Sequence, residues 1–113
     1  MNEQFSRTER LIGTEALEKL KNAHVAVFGI GGVGGYVVEA LARTGVGTLT
    51  LVDSDTVAPS NLNRQIVALH STLGCPKVEA AKKRVLDINP DIKVHAKEIF
   101  YLPETAGEFD FST

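Results

Sequence analysis

The chain has 113 residues, with 12 Lys plus Arg against 14 Asp plus Glu for a net charge of −2, and is 43% hydrophobic; one ordinary globular domain fits and a second does not. That charge excludes a surface that is wholly a nucleic-acid footprint, and the single cysteine, Cys75, excludes an internal disulfide. No apolar run approaches the roughly 20 residues that cross a bilayer, and the first residues do not read as a signal peptide, so a reducing cytoplasm is the expected location.

Ser6-Arg7-Thr8-Glu9 has the spacing of a capping box and predicts a helix start. Gly13 interrupts the pattern and Thr14 is a second candidate cap, so two short helices are expected, about residues 7–12 and 15–21. Val25-Ala26-Val27-Phe28 lacks polar alternation, as a strand buried on both faces of a parallel sheet does. Glycines follow it, and then Val33, Val37, Ala40, Leu41 and Thr44 fall at helical spacing until Gly45 and Gly47 close the segment. Residues 48–52 are a second β-branched strand, so residues 25–52 have the length of one βαβ unit with a right-handed crossover. Residues 53–73 have no sustained period and read as a loop with one helical turn, and a long irregular stretch in a compact domain is more often functional than idle. Residues 77–89 form the third helix, with Val78, Ala81, Val85 and Ile88 on one face. Pro90 stops it, residues 93–97 are a third strand, and Pro103-Glu104-Thr105-Ala106 can open a further helix.

The chemistry begins at Gly29-x-Gly31-x-x-Gly34, which lies between a strand and a helix, with Asp53 24 residues after Gly29 at the end of the next strand. Glycines there let backbone approach phosphate, the helix start offers amides, and Asp53 is placed to bind ribose hydroxyls. A dinucleotide fold alone does not account for Asp53-Ser54-Asp55 running into Ser60-Asn61-Leu62-Asn63-Arg64-Gln65. Asn61 and Arg64, at i and i+3, are expected to point the same way, and Arg presents a planar fork suited to phosphate. Lys77 stands in the first turn of a helix, where the dipole gives a lysine nothing and a nearby anion would account for it. Asp55 is placed to orient the loop backbone or Arg64. Cys75 reads as an ordinary thiol, and His24, His70 and His95 are too scattered along the chain to suggest zinc ligands. Residues 77–97 hold six basic and three acidic residues, the pattern of a solvated helix face.

These motifs resemble the ubiquitin-activating-enzyme-like adenylating enzymes, including the ThiF and MoeB types. The resemblance runs from Phe5 to Asn89 on Phe5-Ser6-Arg7, Gly29-x-Gly31-Gly32-x-Gly34, Leu51-Val52-Asp53-x-Asp55-x-Val57, Ser60-Asn61-x-x-Arg64-Gln65, Gly74-x-Pro76-Lys77 and Ile88-Asn89-Pro90. Within the family, residues 7–13 and 35–43 look most like the tRNA threonylcarbamoyladenosine dehydratase branch. The resemblance implies a Rossmann-like parallel α/β sheet with flanking helices, and ATP-dependent activation of a carboxylate as an acyl-adenylate. Gly29, Gly31, Gly32 and Gly34 would line the phosphate loop and Asp53 would hold ribose, with Asp55 and Gln65 beside them. Ser60, Asn61, Arg64 and Lys77 would contact ATP, Arg64 and Lys77 carrying the charge stabilisation, and Arg7 would reach the ATP of a partner in a homodimer. The acceptor would be a tRNA or a ubiquitin-like sulfur-carrier protein.

The resemblance also implies a magnesium ion whose ligand aspartate is expected beyond residue 113, so none of the present residues is assigned to metal. On this reading residues 1–22 are a helical arm, and residues 23–113 are the amino-terminal half of a doubly wound ATP-binding domain. Three strands in the order 3-2-1 would leave residues 25–28 at an open edge, which favours association or poor solubility. Two other functions fit the glycine pattern: an NAD(P)- or flavin-dependent oxidoreductase, and a catalytically silent nucleotide-binding fragment.

Overall fold

In the computed structural model the described residues are 3–99. Strands β1 (His24–Phe28), β2 (Thr48–Val52) and β3 (Lys93–Lys97) form a parallel sheet in the order β1-β2-β3. Helix α1 (Ser6–Lys21) precedes β1, α2 (Val33–Thr44) joins β1 to β2, and α3 (Lys77–Ile88) lies between β2 and β3. This is the Rossmann-like arrangement expected from the sequence. The helix anticipated at Pro103–Ala106 lies outside the described residues.

Alternation along the strands divides the sheet into two faces. Register places Val25, Val27, Leu49, Leu51, Val94 and Ala96 on one of them. They pack with Val38 and Ala42 of α2 and with Val78, Ala81 and Val85 of α3, and Leu49 and Leu51 are wholly buried. Truncating either leucine to alanine removes about 2–5 kcal/mol of this core. The opposite face carries His24, Thr50 and His95. There the His24 Nε2 lies 2.6 Å from the Thr50 hydroxyl, and the two imidazole rings are 6.0 Å apart. Histidines far apart in the chain are thus neighbours across β2, yet no group of three metal-ligating side chains forms among the described residues.

The start of α1 departs from the capping-box expectation. A 3-10 turn, Glu3–Phe5, leads directly into a helix whose first residue is Ser6, and no side chain caps it. Phe5 is buried, in reach of Gly45, so apolar packing sets the entry and draws Ser6 into the first turn, out of the capping position. The break at Gly13 is present: φ is 86° and ψ is 161°, and two helical segments meet there. The arm is tied to the sheet by its backbone. The Leu20 carbonyl accepts the amides of Ala23 at 3.1 Å and Gly47 at 3.0 Å, and the Gln4 amide group donates to the Ile88 carbonyl at 2.8 Å. A side chain at Gly47 would strike the Lys21 carbonyl. No helix among the described residues is long and apolar enough to cross a membrane.

An ion cluster fastens α2 to α3. The Glu39 carboxylate accepts from Arg84 Nε at 2.6 Å and Nη2 at 3.2 Å, and from Arg43 Nε at 2.8 Å on its own helix. The hydrogen bond from Arg84 holds the Glu39 carboxyl below its ordinary range, and the same bond raises Arg84. The folded state therefore binds this proton more weakly than the unfolded chain. Its contribution to stability is present above the ordinary carboxylate value of 4.5 and is lost as pH falls through the lowered folded value. Replacing Glu39→Gln should cost on the order of 1 kcal/mol at neutral pH. The loss should shrink toward pH 3; urea melts at several pH values read this, and a pH-independent loss would refute the assignment.

Candidate functional site

The site is assembled at the carboxyl ends of β1 and β2. Gly29 continues the β1 ladder, its amide donating to the Val52 carbonyl at 2.8 Å, and the Asp53 amide donates to the Lys97 carbonyl at 3.2 Å. The chain then turns sharply: Gly29 has φ +87° and Gly32 φ +56°, conformations that side chains rarely adopt. At Gly34 the constraint is a close approach, because a Cβ there would collide with the Gly29 carbonyl. The first-turn amides of α2 have no side-chain cap and no acidic residue beside them, which leaves them oriented as anion donors.

Asp53 is half-buried and its two oxygens are already engaged. Oδ2 accepts the Ile30 amide at 2.7 Å and Oδ1 accepts the Asp55 amide at 2.8 Å. One carboxylate thus joins the glycine loop to the loop after β2. A carboxylate has about four acceptor positions, so roughly two remain for ribose hydroxyls. The adjacent Ser54 hydroxyl oxygen is buried and has no partner.

The segment expected as irregular is closed at its base by a short antiparallel clip. The Val57 amide donates to the Cys75 carbonyl at 2.8 Å, the Gly74 amide to Val57 at 2.9 Å and the Lys77 amide to Asp55 at 2.9 Å. Two 3-10 turns, Pro59–Asn61 and His70–Thr72, lie inside it. Asn61 and Arg64 share a helical turn, as the spacing expects, but differ in their surroundings. Asn61 is buried, its side-chain oxygen accepting the Ala58 amide at 2.9 Å, while its carbonyl takes the amides of Arg64 at 3.2 Å and Gln65 at 2.9 Å. These i+3 and i+4 bonds carry the 3-10 turn on as a helical turn, on which Asn61 serves the backbone and Arg64 is exposed. Arg64 Nη1 is held by the exposed Ser60's carbonyl at 2.9 Å and by Asn63 Oδ1 at 3.0 Å.

Gln65 is the contact that brings this loop to the glycines. A Cβ on Gly31 would stand only 2.8 Å from both polar atoms of the Gln65 amide, and the Gln65 Oε1 is buried without a partner. Ile66 packs likewise over Gly35 at the start of α2. Lys77 opens α3 with its side chain 8% exposed, and its Nζ lies 3.9 Å from Asp55 Oδ2. The anion expected beside this lysine is therefore present within the chain. Cys75, in the clip, is a free thiol.

Arg7 is the candidate that the fold does not bring to this site. It is exposed. Two residues before it, Phe5 lines an open cleft of about 450 Å³ together with Thr48 and Lys93, the first residues of β2 and β3. The glycine loop is at the other end of those strands, roughly 17 Å away for five residues. The cleft is thus separate from the glycine-loop site. The Gln65 contact is a tertiary approach that periodicity does not record, although the resemblance places Gln65 beside the glycine loop.

Residues 5–109 match the ThiF family, and the chain belongs to it. The chain is 55% identical over 109 residues to the tRNA threonylcarbamoyladenosine dehydratase of Bacillus subtilis, covering 96% of this chain and 43% of the relative. It is 49% identical over 80 residues to the molybdopterin-synthase adenylyltransferase of Salmonella typhimurium, covering 71% of this chain and 32% of the relative. The crystal structure of Escherichia coli tRNA N6-threonylcarbamoyladenosine dehydratase, TcdA, in complex with ATP superposes with a TM-score of 0.90 at 44% identity. That match covers 93% of this chain and 43% of the other. The chain thus spans less than half the length of these relatives.

The glycines should separate by mechanism under substitution. Gly34→Ala drives a methyl into backbone and should cost at least about 2 kcal/mol in urea unfolding. Gly31→Ala meets only the end of a flexible glutamine and should cost under about 1 kcal/mol. Equal losses would contradict the packing described for the two positions.

Proposed function

We propose that this ThiF-family chain binds ATP at the glycine loop and takes part in activating a carboxylate as an acyl-adenylate, the carboxylate being the threonyl group of a modified adenosine in tRNA. The observation that carries the reading is the approach of Gln65, on the loop that holds Arg64 and leads into Lys77, to Gly31 of the glycine turn. The dehydratase names of the similar proteins, and the ATP and AMP complexes of the Escherichia coli relative, support it.

In this reading a carboxylate oxygen attacks the α-phosphorus, pyrophosphate leaves, and the acyl-adenylate is consumed by attack from within the same modified base, which closes a ring and releases AMP. The chain's own contribution is positional and electrostatic. Free amides at the start of α2 receive phosphate oxygens, Asp53 takes ribose, and Arg64 and Lys77 offset charge that grows on the departing pyrophosphate. Ser60 and Asn61 shape the same wall. Asn61 does so through the backbone it holds. For the magnesium that the family resemblance brings with ATP, no group of three metal-ligating side chains forms among the described residues.

A sulfur-carrier protein as acceptor is the second reading, favoured by the similarity to a molybdopterin-synthase adenylyltransferase. Residues 1–22 are assigned as an arm serving a second copy, and residues 23–113 as part of the ATP-binding domain. Two features support a homodimer. Arg7 is displayed at the end of the sheet away from its own glycine loop, and α2 exposes Val33, Tyr36 and Val37, an apolar stripe at i, i+3 and i+4.

Equilibrium dialysis with ATP, and separately with NAD, tests the nucleotide: ATP should bind and NAD should not, and Arg64→Ala should weaken ATP at least about tenfold. NAD binding alone would install the oxidoreductase reading in its place. The homodimer is tested by mixing Arg7→Ala with Arg64→Ala subunits. Each alone should be inactive, and the mixture should recover about a quarter of the wild-type rate, because half the random dimers carry one intact site. No recovery after subunit exchange would remove Arg7 from the partner's site.

A further inference from the structure

Lys77 is buried and pinned by α3, whereas the carboxylate nearest to it belongs to an exposed residue: the side chains are 8% and 63% accessible, with Nζ and Oδ2 3.9 Å apart. A buried ammonium requires a counter-charge. Asp55 supplies it from a position where its own carboxylate remains solvated. The two residues are also joined by backbone, the Lys77 amide donating to the Asp55 carbonyl at 2.9 Å, while the Asp55 amide is fixed by Asp53 at 2.8 Å. The main chain of Asp55 is therefore held independently of its side chain, which leaves the carboxylate the one movable member of the pair.

From this we propose that Asp55 is a placeholder anion: it neutralises Lys77 while no nucleotide is bound and is displaced into solvent by the phosphates of the incoming nucleotide. The inference rests on the ATP-binding reading above and assigns Asp55 a positioning role opposite in sign to that of a ligand. A carboxylate already on the lysine lowers the attraction that the site offers to any anion. The ligand that exchanges with it most effectively carries several negative charges on adjacent oxygens. A triphosphate meets the full cost of the exchange and a monophosphate no more than that, so removing the carboxylate helps the substrate nucleotide at least as much as AMP. Exposure keeps the exchange inexpensive, because the departing carboxylate regains water on the side it already faces.

The test uses the full chain with Asp55→Asn, which preserves shape and both backbone hydrogen bonds, alongside Lys77→Gln and the double variant. Calorimetric titration with ATP and with AMP reads the affinities, and thermal melting establishes that each variant is folded. Asp55→Asn should bind ATP about 3- to 10-fold more tightly than the wild type, and should tighten AMP no more than ATP. In the Lys77→Gln background the same change should have no effect on either nucleotide. An affinity gain of this kind is not a product of structural damage. Should Asp55→Ser prove the better-folded replacement, the same gain is expected of it. Weaker or unchanged ATP binding by a folded Asp55 variant overturns the placeholder role while leaving the ATP site standing. Failure of the wild-type chain to bind ATP at all overturns the functional reading, and the placeholder with it.

Discussion

The site is organised by the two hydrogen bonds that the Asp53 carboxylate accepts, one from Ile30 in the glycine loop and one from Asp55 after β2. In a parallel sheet, loops at the carboxyl ends of neighbouring strands have no ladder beyond the last residue to hold them together. A charged acceptor on two amides replaces that ladder with bonds stronger than neutral ones. From Asp55 the connection continues to Lys77 through backbone and ion pair, then around the clip between residues 55–57 and 74–77. It returns to the glycines where Gln65 lies over Gly31. The result is a closed circuit of contacts around the place where phosphate would sit.

This circuit divides the polar residues by task. Asn61 and Asp53 spend their hydrogen-bonding capacity on amides, which fixes the loop but leaves them limited freedom toward a ligand. Arg64 is exposed, anchored at Nη1 by the Ser60 carbonyl and the Asn63 side chain. A guanidinium has five donor hydrogens, so an anchored arginine retains several for phosphate oxygens. Anchoring also removes part of the entropy that an arginine otherwise loses on binding. Rigid support behind an exposed cation is the arrangement that electrostatic stabilisation of a leaving phosphate requires.

Much of this circuit is legible in the amino-acid sequence, for physical reasons. Local backbone demands write themselves into sequence: positive φ at Gly29 and Gly32, close approach at Gly34 and the break at Gly13 each exclude most side chains. Burial of β2 likewise leaves a segment of β-branched residues and leucines with no charge. What escapes depends on tertiary context. The Ser6 capping box fails because burial of Phe5 sets the helix entry. Asn61 and Arg64 share the helical turn that spacing reads, but their surroundings bury Asn61 against the Ala58 amide and leave Arg64 exposed. The pairing of His24 with His95, and of Glu39 with Arg84, joins residues separated by dozens of positions, and no periodicity records it.

The same sheet edge can serve dinucleotide chemistry, and the loop after β2 is what argues against it. A glycine loop and an acid at the end of β2 satisfy the needs of either nucleotide class. Hydride transfer takes place at a nicotinamide or flavin ring remote from the phosphates and gains nothing from additional cations beside them, whereas displacement at phosphorus develops charge on a leaving pyrophosphate. Burying Lys77 has a desolvation cost that folding alone gives no reason to accept, and the chain meets it with a solvated carboxylate. Holding Arg64 at the surface with two acceptors adds a second positive group on the loop that leads into Lys77. Two cations on the segment whose Gln65 reaches the glycine turn, one of them against the preference of a folded interior, would suit a ligand whose phosphates gain charge during reaction.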